Sequence, residues 1–591
     1  MNKFLKLLLI VALICSASVV CSVYATNYYV GFSSNPVGFN YSGDVAGLKS
    51  ALLAAGANDV VYIAKGTYYL DSQLIVKTHI IGGCNPAGDG SESERRAIGA
   101  AASLTSDMTV LDGNSLRHPK RDEKHRVATV NTGGIIENCL IRNGHARGTT
   151  NNNNDLNGHG GGVLLNGGKL YNCIIRGNVA MNVQYQGSNK SSGGGVYITN
   201  NGGQVVNCVI VFNMDDKGVG IDGKSGESIN NTVAYNTQTP TWKNIPMTND
   251  FQHYANSTSS ITPTGAYMHL DAFYMATTEC TGGQYACFMS AIDFGAGSTT
   301  EPFLTKADKD AMVAAQAPAA GYSNITVEQY ALLAASGAGY GVNTTTSMWN
   351  LVLHQANSSE ILRYGGCLSS DGTGSNRVWF PFADTSVSGT ATETSRGKEA
   401  QRRDNYAVDI VSWYGGLAFS LWLGGCLPTE AQWEYAARRS TSGMNNTLYA
   451  GSSSVDGVAW YSGNSKLNGT GSTMAHEVAK RDSNGIGLYD MSGSVREWVL
   501  DIYGSVGSYL GTGSGVGATT PQSGLWLVSG NVSNTGVSGS PLYNPVMYGA
   551  NPYRVLRGGY WNGDAPSCSL GTRVGNTPHI LGYGFRAVCV P

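Results

Sequence analysis

The chain has 591 residues, more than one domain usually holds, so two or three domains are expected. Only 13% of residues are charged and the formal net charge is −2, which argues against a nucleic-acid binder held by a basic face. Glycine is abundant, at 79 residues without a collagen triplet, and this points to a turn-rich, strand-rich protein.

Residues 1–25 read as a signal peptide. Lys3 and Lys6 precede the apolar run LLLIVALI, and VYA, ending at Ala25, offers small residues to a signal peptidase. Cys15 and Cys21 raise lipoprotein anchoring as a second reading, although ALI and SVV before them lack the small residue wanted beside a lipidated cysteine. No later stretch has ~18 uninterrupted apolar residues, so no transmembrane segment is expected. The mature protein is expected to be exported, to the cell surface or as a secreted protein. Twelve cysteines less Cys15 and Cys21 leave ten, dispersed and without a CxxC pair. That pattern is neither a disulfide-dense miniature nor a zinc ribbon.

Residues 26–237 contain a repeat. GIIENCLIRNG from Gly134, GKLYNCIIRGN from Gly168 and GQVVNCVIVFN from Gly203 overlay, and ESINNTVAYNT from Glu227 fits more loosely. The segments are short, β-branched and bounded by Gly and Asn, which means brief strands between tight turns. The compact solution is a parallel β-helix. Asn138, Asn172, Asn207 and Asn231 are expected to form a ladder at a turn, where Asn tolerates left-handed geometry. Cys139, Cys173, Cys208 and Thr232 would then stack one position later, as small side chains filling a narrow core. Coils ~4.8 Å apart leave disulfide formation by one pair open. The longer inserts HARGTTNNNNDLNGHG and MNVQYQGSNKSS are expected to bulge from one side.

VVYIAKGTYYL, LIVKTHIIGG and TVLDGN resemble the opening coils of pectin-lyase-like right-handed parallel β-helix proteins, some of which cleave polysaccharides. The close acidic group Asp215, Asp216 and Asp222 lies in one Gly-rich turn. These are read as turn residues, with a polysaccharide-active or calcium-binding role as the alternative.

Residues 238–264, which include QTPTWKNIPMTND through Asp250, read as a linker. In the remainder, 265–591, VSWYGGLAFSLWLGG has apolar Val411, Trp413, Leu417 and Leu421 at helical spacing and ends on Gly424 and Gly425. LPTEAQWEYAAR offers Thr429 as an N-cap for a second helix. FYMATTECTGGQYACFMSA, VDIVSWYGGLAFSLWLGGCLPTEAQWEYAAR, NGIGLYDMSGSVREWVLD and RVLRGGYW…TRVGNTP…GFRAV resemble, in order, motifs of the formylglycine-generating-enzyme-like (sulfatase-modifying factor) family. The resemblance implies an α+β, C-type-lectin-like domain, so the whole chain is expected to be of mixed class. It also implies that Arg573 and Arg586 brace loops from within.

Enzymes of this family use two cysteines set five positions apart to gather copper through soft thiolates. Cys568 resembles the second, and Gly563 stands where the first would be. A non-haem iron branch uses a His cluster, and the ten His here are scattered with no HxxxHxE. No catalytic residue is therefore assigned, and no cofactor beyond a candidate calcium ion. The resemblance places that calcium at Glu497, with Ser494 where the family often has Asn; the alternative is a Glu that closes a hydrogen-bond network.

The stretch 557–588 has a punctuated frame and irregular filling. The filling is Tyr560, Asn562, Gly563, Asp564, Ser567, Ser569, Leu570, Thr572, Val574, Gly575, His579, Ile580, Leu581 and Tyr583. It resembles the variable segment of diversity-generating-retroelement proteins, in which adenines are randomised. An AAC codon cannot become Lys, Glu, Gln, Met or Trp in that scheme, and none of the five occurs in the filling. The expectation is an exported, adhesin-like binder of an external protein or glycan ligand through these residues. Their Tyr, Ser, Gly and Asn are the vocabulary of adaptable contact surfaces. The alternative is an oxidoreductase of the sulfatase-modifying-factor family.

Overall fold

The computed structural model describes residues 25–33, 38–87, 108–113, 124–148, 156–183, 190–223, 226–247, 251–254, 263–291, 367–370, 377–380, 405–409, 411, 413–466, 475–503, 515–516, 542–543, 546–547, 553–577 and 582–589. The expected signal peptide lies outside these apart from Ala25, as do parts of both long inserts, 149–155 and 184–189.

The first 240 residues form strands of two to six residues that pair in parallel with the equivalent strand of the next repeat. One sheet has eight strands, beginning at Phe39–Tyr41 and ending at Glu227–Ile229, and three others have six, five and four. Short β-branched runs suit this arrangement, because each places one side chain inward per two residues and leaves the turn residues to reverse the chain. Val30, Ile63, Ile80, Ile136, Leu170 and Val205 fill the interior. At one end the helix Val45–Ala54 buries Leu48 and Ala51, and Asp44 caps it by accepting from the Gly47 amide at 2.7 Å.

Asn138, Asn172 and Asn207 hold φ of 58°, 50° and 53°, the left-handed geometry expected of the turn. The fourth repeat needs a correction. Val209 is opposite Thr232, so Cys208 faces Asn231 and the left-handed residue is Asn230, at φ 53°. Thr232 therefore sits one position beyond the cysteine column, and Asn231 ends that column by accepting the Cys208 amide at 2.7 Å. The thiols of Cys139, Cys173 and Cys208 are buried and unoxidised. Each donates to the carbonyl two residues earlier, at 3.4, 3.2 and 3.3 Å, and so satisfies a backbone acceptor at the turn. A second ladder, absent from the sequence reading, joins Asn178, Asn213 and Asn236 side chain to side chain at 3.0 and 3.1 Å.

The stretch 238–264 is not a bare connection. Trp242–Ile245 pairs antiparallel with Phe273–Ala276, which in turn pairs with Val588–Cys589, and Phe251–Tyr254 pairs with Pro263–His269. Trp242 and Ile245 are buried and Lys243 and Asn244 lie between them, a spacing that is not the alternation of a half-buried strand, so the sequence carried no strand signal here. A second sheet orders Glu497–Ile502, Arg554–Arg557 and Val574–Asn576. Helices Trp413–Trp422 and Glu430–Arg438 pack behind it, and Gly424, at φ 82°, ends the first of them. Thr429 and Gln432 close a capping box on the second.

The two regions share one core. Val179, Met181, Phe212 and Met214 of the repeats belong to the same buried cluster as Trp242, Phe288, Phe419 and Trp422. The Trp422 indole N–H donates to Asn143 Oδ1 at 3.1 Å, and the Cys287 thiol donates to the Asn213 carbonyl at 3.6 Å. Among the described residues no helix is long and apolar enough to cross a membrane.

Candidate functional site

The C-terminal segment is built over a layer of buried charge pairs. Arg586 binds Glu497 with two bonds, Nε to Oε2 at 2.8 Å and Nη2 to Oε1 at 2.7 Å. The Trp433 indole donates to the same Oε2 at 2.9 Å. Arg573 binds Glu430 in the same forked way, both contacts at 2.8 Å. Arg557 reaches Glu434 at 2.7 Å and also donates to the carbonyls of Leu570 and Thr572, at 2.9 and 2.8 Å. Planar guanidinium forks suit buried carboxylates because both oxygens are satisfied at once. Burial, with Asp490 and Glu497 adding to it, pushes the Glu279 carboxyl well above the usual range.

Above this layer the chain turns sharply. Gly558 and Gly559 take φ of 93° and 79°, and a Cβ on Gly559 would lie 2.6 Å from the Cys568 Cα. From there to Gly563 the path is held by main-chain atoms. The Trp561 amide donates to the Ser494 carbonyl at 2.7 Å, the Ser462 amide to the Gly563 carbonyl at 2.8 Å, and the Ser465 hydroxyl to the Trp561 carbonyl at 2.6 Å. These bonds do not depend on the side chains at 560 or 562, whereas the turn that follows is closed by side chains: Asp564 Oδ1 accepts the Ser567 amide at 3.1 Å and the Ser567 hydroxyl donates to the Asp564 carbonyl at 2.7 Å.

The expected ligand-facing residues divide. Asn562 and Asp564 are exposed, and Tyr560, Ser567, Val574, Gly575 and Tyr583 are half-buried. Tyr560 lies under the Arg496 guanidinium, 4.3 Å from ring centroid to Cζ. Tyr583 packs edge-on to Trp498 and accepts from Asn576 at 2.7 Å. Four expected positions are internal instead. Leu570 joins the main core. Ser569 and Thr572 bond each other at 2.8 Å, and Thr572 also donates to the Pro566 carbonyl at 3.1 Å. Gly563 is buried, because its carbonyl ties the loop down. A short polar stretch gave no period from which these inward positions could be told from outward ones. His579, Ile580 and Leu581 lie outside the described residues.

Both oxygens of Glu497 are engaged by a guanidinium, and Ser494, at φ 58°, donates its hydroxyl to Glu279 at 3.3 Å. A calcium ion would have to sit beside Arg586, so these residues do not fit it, and the hydrogen-bond-network alternative describes Glu497. Copper held by two thiolates does not fit either. Cys568 is buried, donates to the Asp564 carbonyl at 3.7 Å, and burial pushes its thiol up to about 11. At Gly563 a Cβ would meet Ser567 Oγ at 2.5 Å and the Tyr560 ring at 2.8 Å, so a thiol there has no room.

The architecture at this point is that of an α+β domain whose last segment is displayed over buried Arg–Glu pairs. The sequence profile of the sulfatase-modifying factor enzyme 1-like domain matches residues 244–590, and the chain belongs to that family. It is 31% identical over 199 residues to the formylglycine-generating enzyme of Streptomyces coelicolor, a match covering 31% of this chain and 52% of the relative. It is 29% identical over 178 residues to the serine/threonine-protein kinase pkn1 of Chlamydia caviae, covering 30% of this chain and 23% of the relative. The chain thus spans between about a quarter and half the length of these curated relatives. Among solved structures, Treponema denticola variable protein 1 aligns with 60% of this chain and 95% of its own, at 21% identity and a TM-score of 0.27.

Proposed function

We propose that this protein is a non-catalytic binder, exported to the cell surface or beyond, that displays a diversified surface on its C-terminal domain. The contact residues are Tyr560, Asn562, Asp564, Ser567, Val574 and Tyr583. The N-terminal region is read as a right-handed parallel β-helix that carries this head. The ligand is an external protein or glycan.

One observation carries the reading. The main-chain atoms of Trp561 and Gly563 are held by bonds to Ser462, Ser465 and Ser494, the Asp564–Ser567 turn is closed by its own polar side chains, and the carbonyls that follow are held by Arg557. Side chains at 560 and 562 are free to change without loss of the loop's shape. The test is genetic and physical. The flanking DNA should contain a near copy of the last coding segment, with adenines at the codons of the irregular positions, beside a reverse transcriptase gene. A set of variants randomised at 560 and 562 should fold as the parent does. Loss of folding in most of that set, or absence of the repeated segment, overturns the reading. The oxidoreductase alternative demands tight copper(I) binding and conversion of a cysteine-containing peptide by the purified protein.

A further inference from the structure

Strand Glu497–Ile502 starts one residue after Arg496, and the chain there is pinned between the two displayed runs of the C-terminal segment. The Gly493 amide donates to the Gly558 carbonyl at 2.7 Å, and the Gly584 amide donates to the Arg496 carbonyl at 2.8 Å. Arg496 thus belongs to the frame, with the run from Tyr560 on one side and Tyr583 on the other. Its main-chain position is set by backbone bonds, which no change of side chain in the filling alters.

Its side chain is placed unlike those of the bracing arginines. Arg557, Arg573 and Arg586 are buried and spend their forks on Glu434, Glu430 and Glu497. Arg496 is half-buried, and its guanidinium makes no hydrogen bond or ion pair among the described residues. It rests instead on the Tyr560 ring, 4.3 Å from Cζ to the centroid. Stacking engages the face of a guanidinium and leaves the N–H donors in its plane open. The Tyr560 hydroxyl also has no hydrogen-bond partner among the described residues. Asp564 carries a negative charge in the same loop, but its carboxylate accepts the Ser567 amide at 3.1 Å and makes no ion pair with Arg496. A ligand that displaces water from these donors must supply acceptors in return.

We propose that Arg496 is the fixed anchor of the head surface and that it takes a carboxylate, the side chain of an aspartate or glutamate on a protein ligand. This rests on the reading of the head as a binder and gives that binder a ligand chemistry. A carboxylate has two coplanar oxygens that match two guanidinium donors, and a further lone pair accepts the Tyr560 hydroxyl. Neutral hydroxyls would leave the guanidinium without a counter-charge. An acidic side chain is favoured over a uronate because Arg beside Tyr, at the centre of a patch rimmed by Asn562 and Ser567, is the make-up of a protein-contact hot spot. The frame supplies the charge, and position 560 supplies the ring that aims it.

The test pans a display library of random cyclic peptides on the full chain, with a galacturonate oligomer titrated in parallel as the other carboxylate source. Recovered peptides should share an Asp or Glu. Changing that residue to its amide, or Arg496→Gln in the protein, should each weaken binding at least ~tenfold, and both together should cost little more than either alone. Tyr560→Phe, which keeps the ring, should weaken binding about threefold. Arg496→Lys keeps the charge without the fork and should fall between parent and Arg496→Gln. Arg496 has no partner to lose, so its variants should melt as the parent does; loss of folding in both would make the residue structural and overturn the proposal. Asn562→Trp, which adds bulk without charge, reports whether a peptide sits on the head surface. Peptides blocked by Asn562→Trp that share no acidic residue, or that ignore Arg496→Gln, overturn the proposal and leave the head surface standing. Peptides that ignore both changes overturn the head reading with it. Recovery of no peptide, or Arg496-dependent binding of the galacturonate alone, also overturns the proposal.

Discussion

The shared core predicts that the repeat region and the head unfold together, and Trp422 is where this is most directly tested. Its indole is fully buried, packs within 5.7 Å of the Phe288 ring by centroids, and donates to Asn143 in the repeats. Trp422→Ala removes a large buried side chain, at a cost of ~3–5 kcal/mol. Trp422→Phe keeps most of the packing but leaves the Asn143 oxygen without its indole donor, costing ~1–3 kcal/mol. Asn143→Ala combined with Trp422→Phe should show a coupling of ~0.5–1.5 kcal/mol in a double-mutant cycle. Calorimetry of the parent is expected to give one transition. Trp422→Ala should give two, because the Trp242, Met181 and Phe212 contacts that remain are the thinner part of the junction. If Trp422→Ala costs less than ~1 kcal/mol, Trp422 does not join the regions, and if the parent already melts in two steps, the regions are independent and the shared-core argument fails.

Three further outcomes follow from named contacts. Glu497→Gln removes the carboxylate that is hydrogen-bonded to the buried Arg586 guanidinium and should cost ~3–5 kcal/mol in urea unfolding; a neutral result would mean that the pair does not stabilise the fold. Asp564→Ser and Asn562→Ser, at exposed positions, should stay within ~0.5 kcal/mol of the parent, whereas Leu570→Ala should cost ~2–5 kcal/mol, and the opposite order would move the displayed surface. Burial raises Asp215 to about 7 and Asp216 and Asp490 to about 6, all above their unfolded values. Their contribution is therefore fully present below ~pH 4 and is lost as pH rises through 6 to 7. Carboxyl carbon shifts should show these three groups titrating above pH 5, and ordinary midpoints near 4 would refute the burial argument.

Much of the local structure was legible in the chain. Regular Gly and Asn punctuation around short β-branched runs predicts stacked parallel strands, and the asparagines at 138, 172 and 207 do take the left-handed turn. Thr429 caps its helix as expected, and the structure adds Gln432, which closes the capping box. The role of Arg573 and Arg586 as internal braces was implied by the family resemblance and agrees with their pairing to Glu430 and Glu497. Those partners lie 143 and 89 residues away, a separation no local pattern encodes.

What the sequence determined by itself was the sum of short-range preferences: where strands begin, where glycine and asparagine must turn the chain, and which residue caps a helix. These depend on backbone sterics within a few residues. Only the tertiary structure decided that residues 242–245 belong to the head's sheet, that the fourth repeat runs one position out of the expected alignment, and that Leu570 and Thr572 face inward while Asn562 and Asp564 face out. In each case the choice rests on what a distant segment offers across a few ångströms. Trp422 is buried because the repeats present Asn143 and Met214 to the head, and nothing within its own helix could have required it.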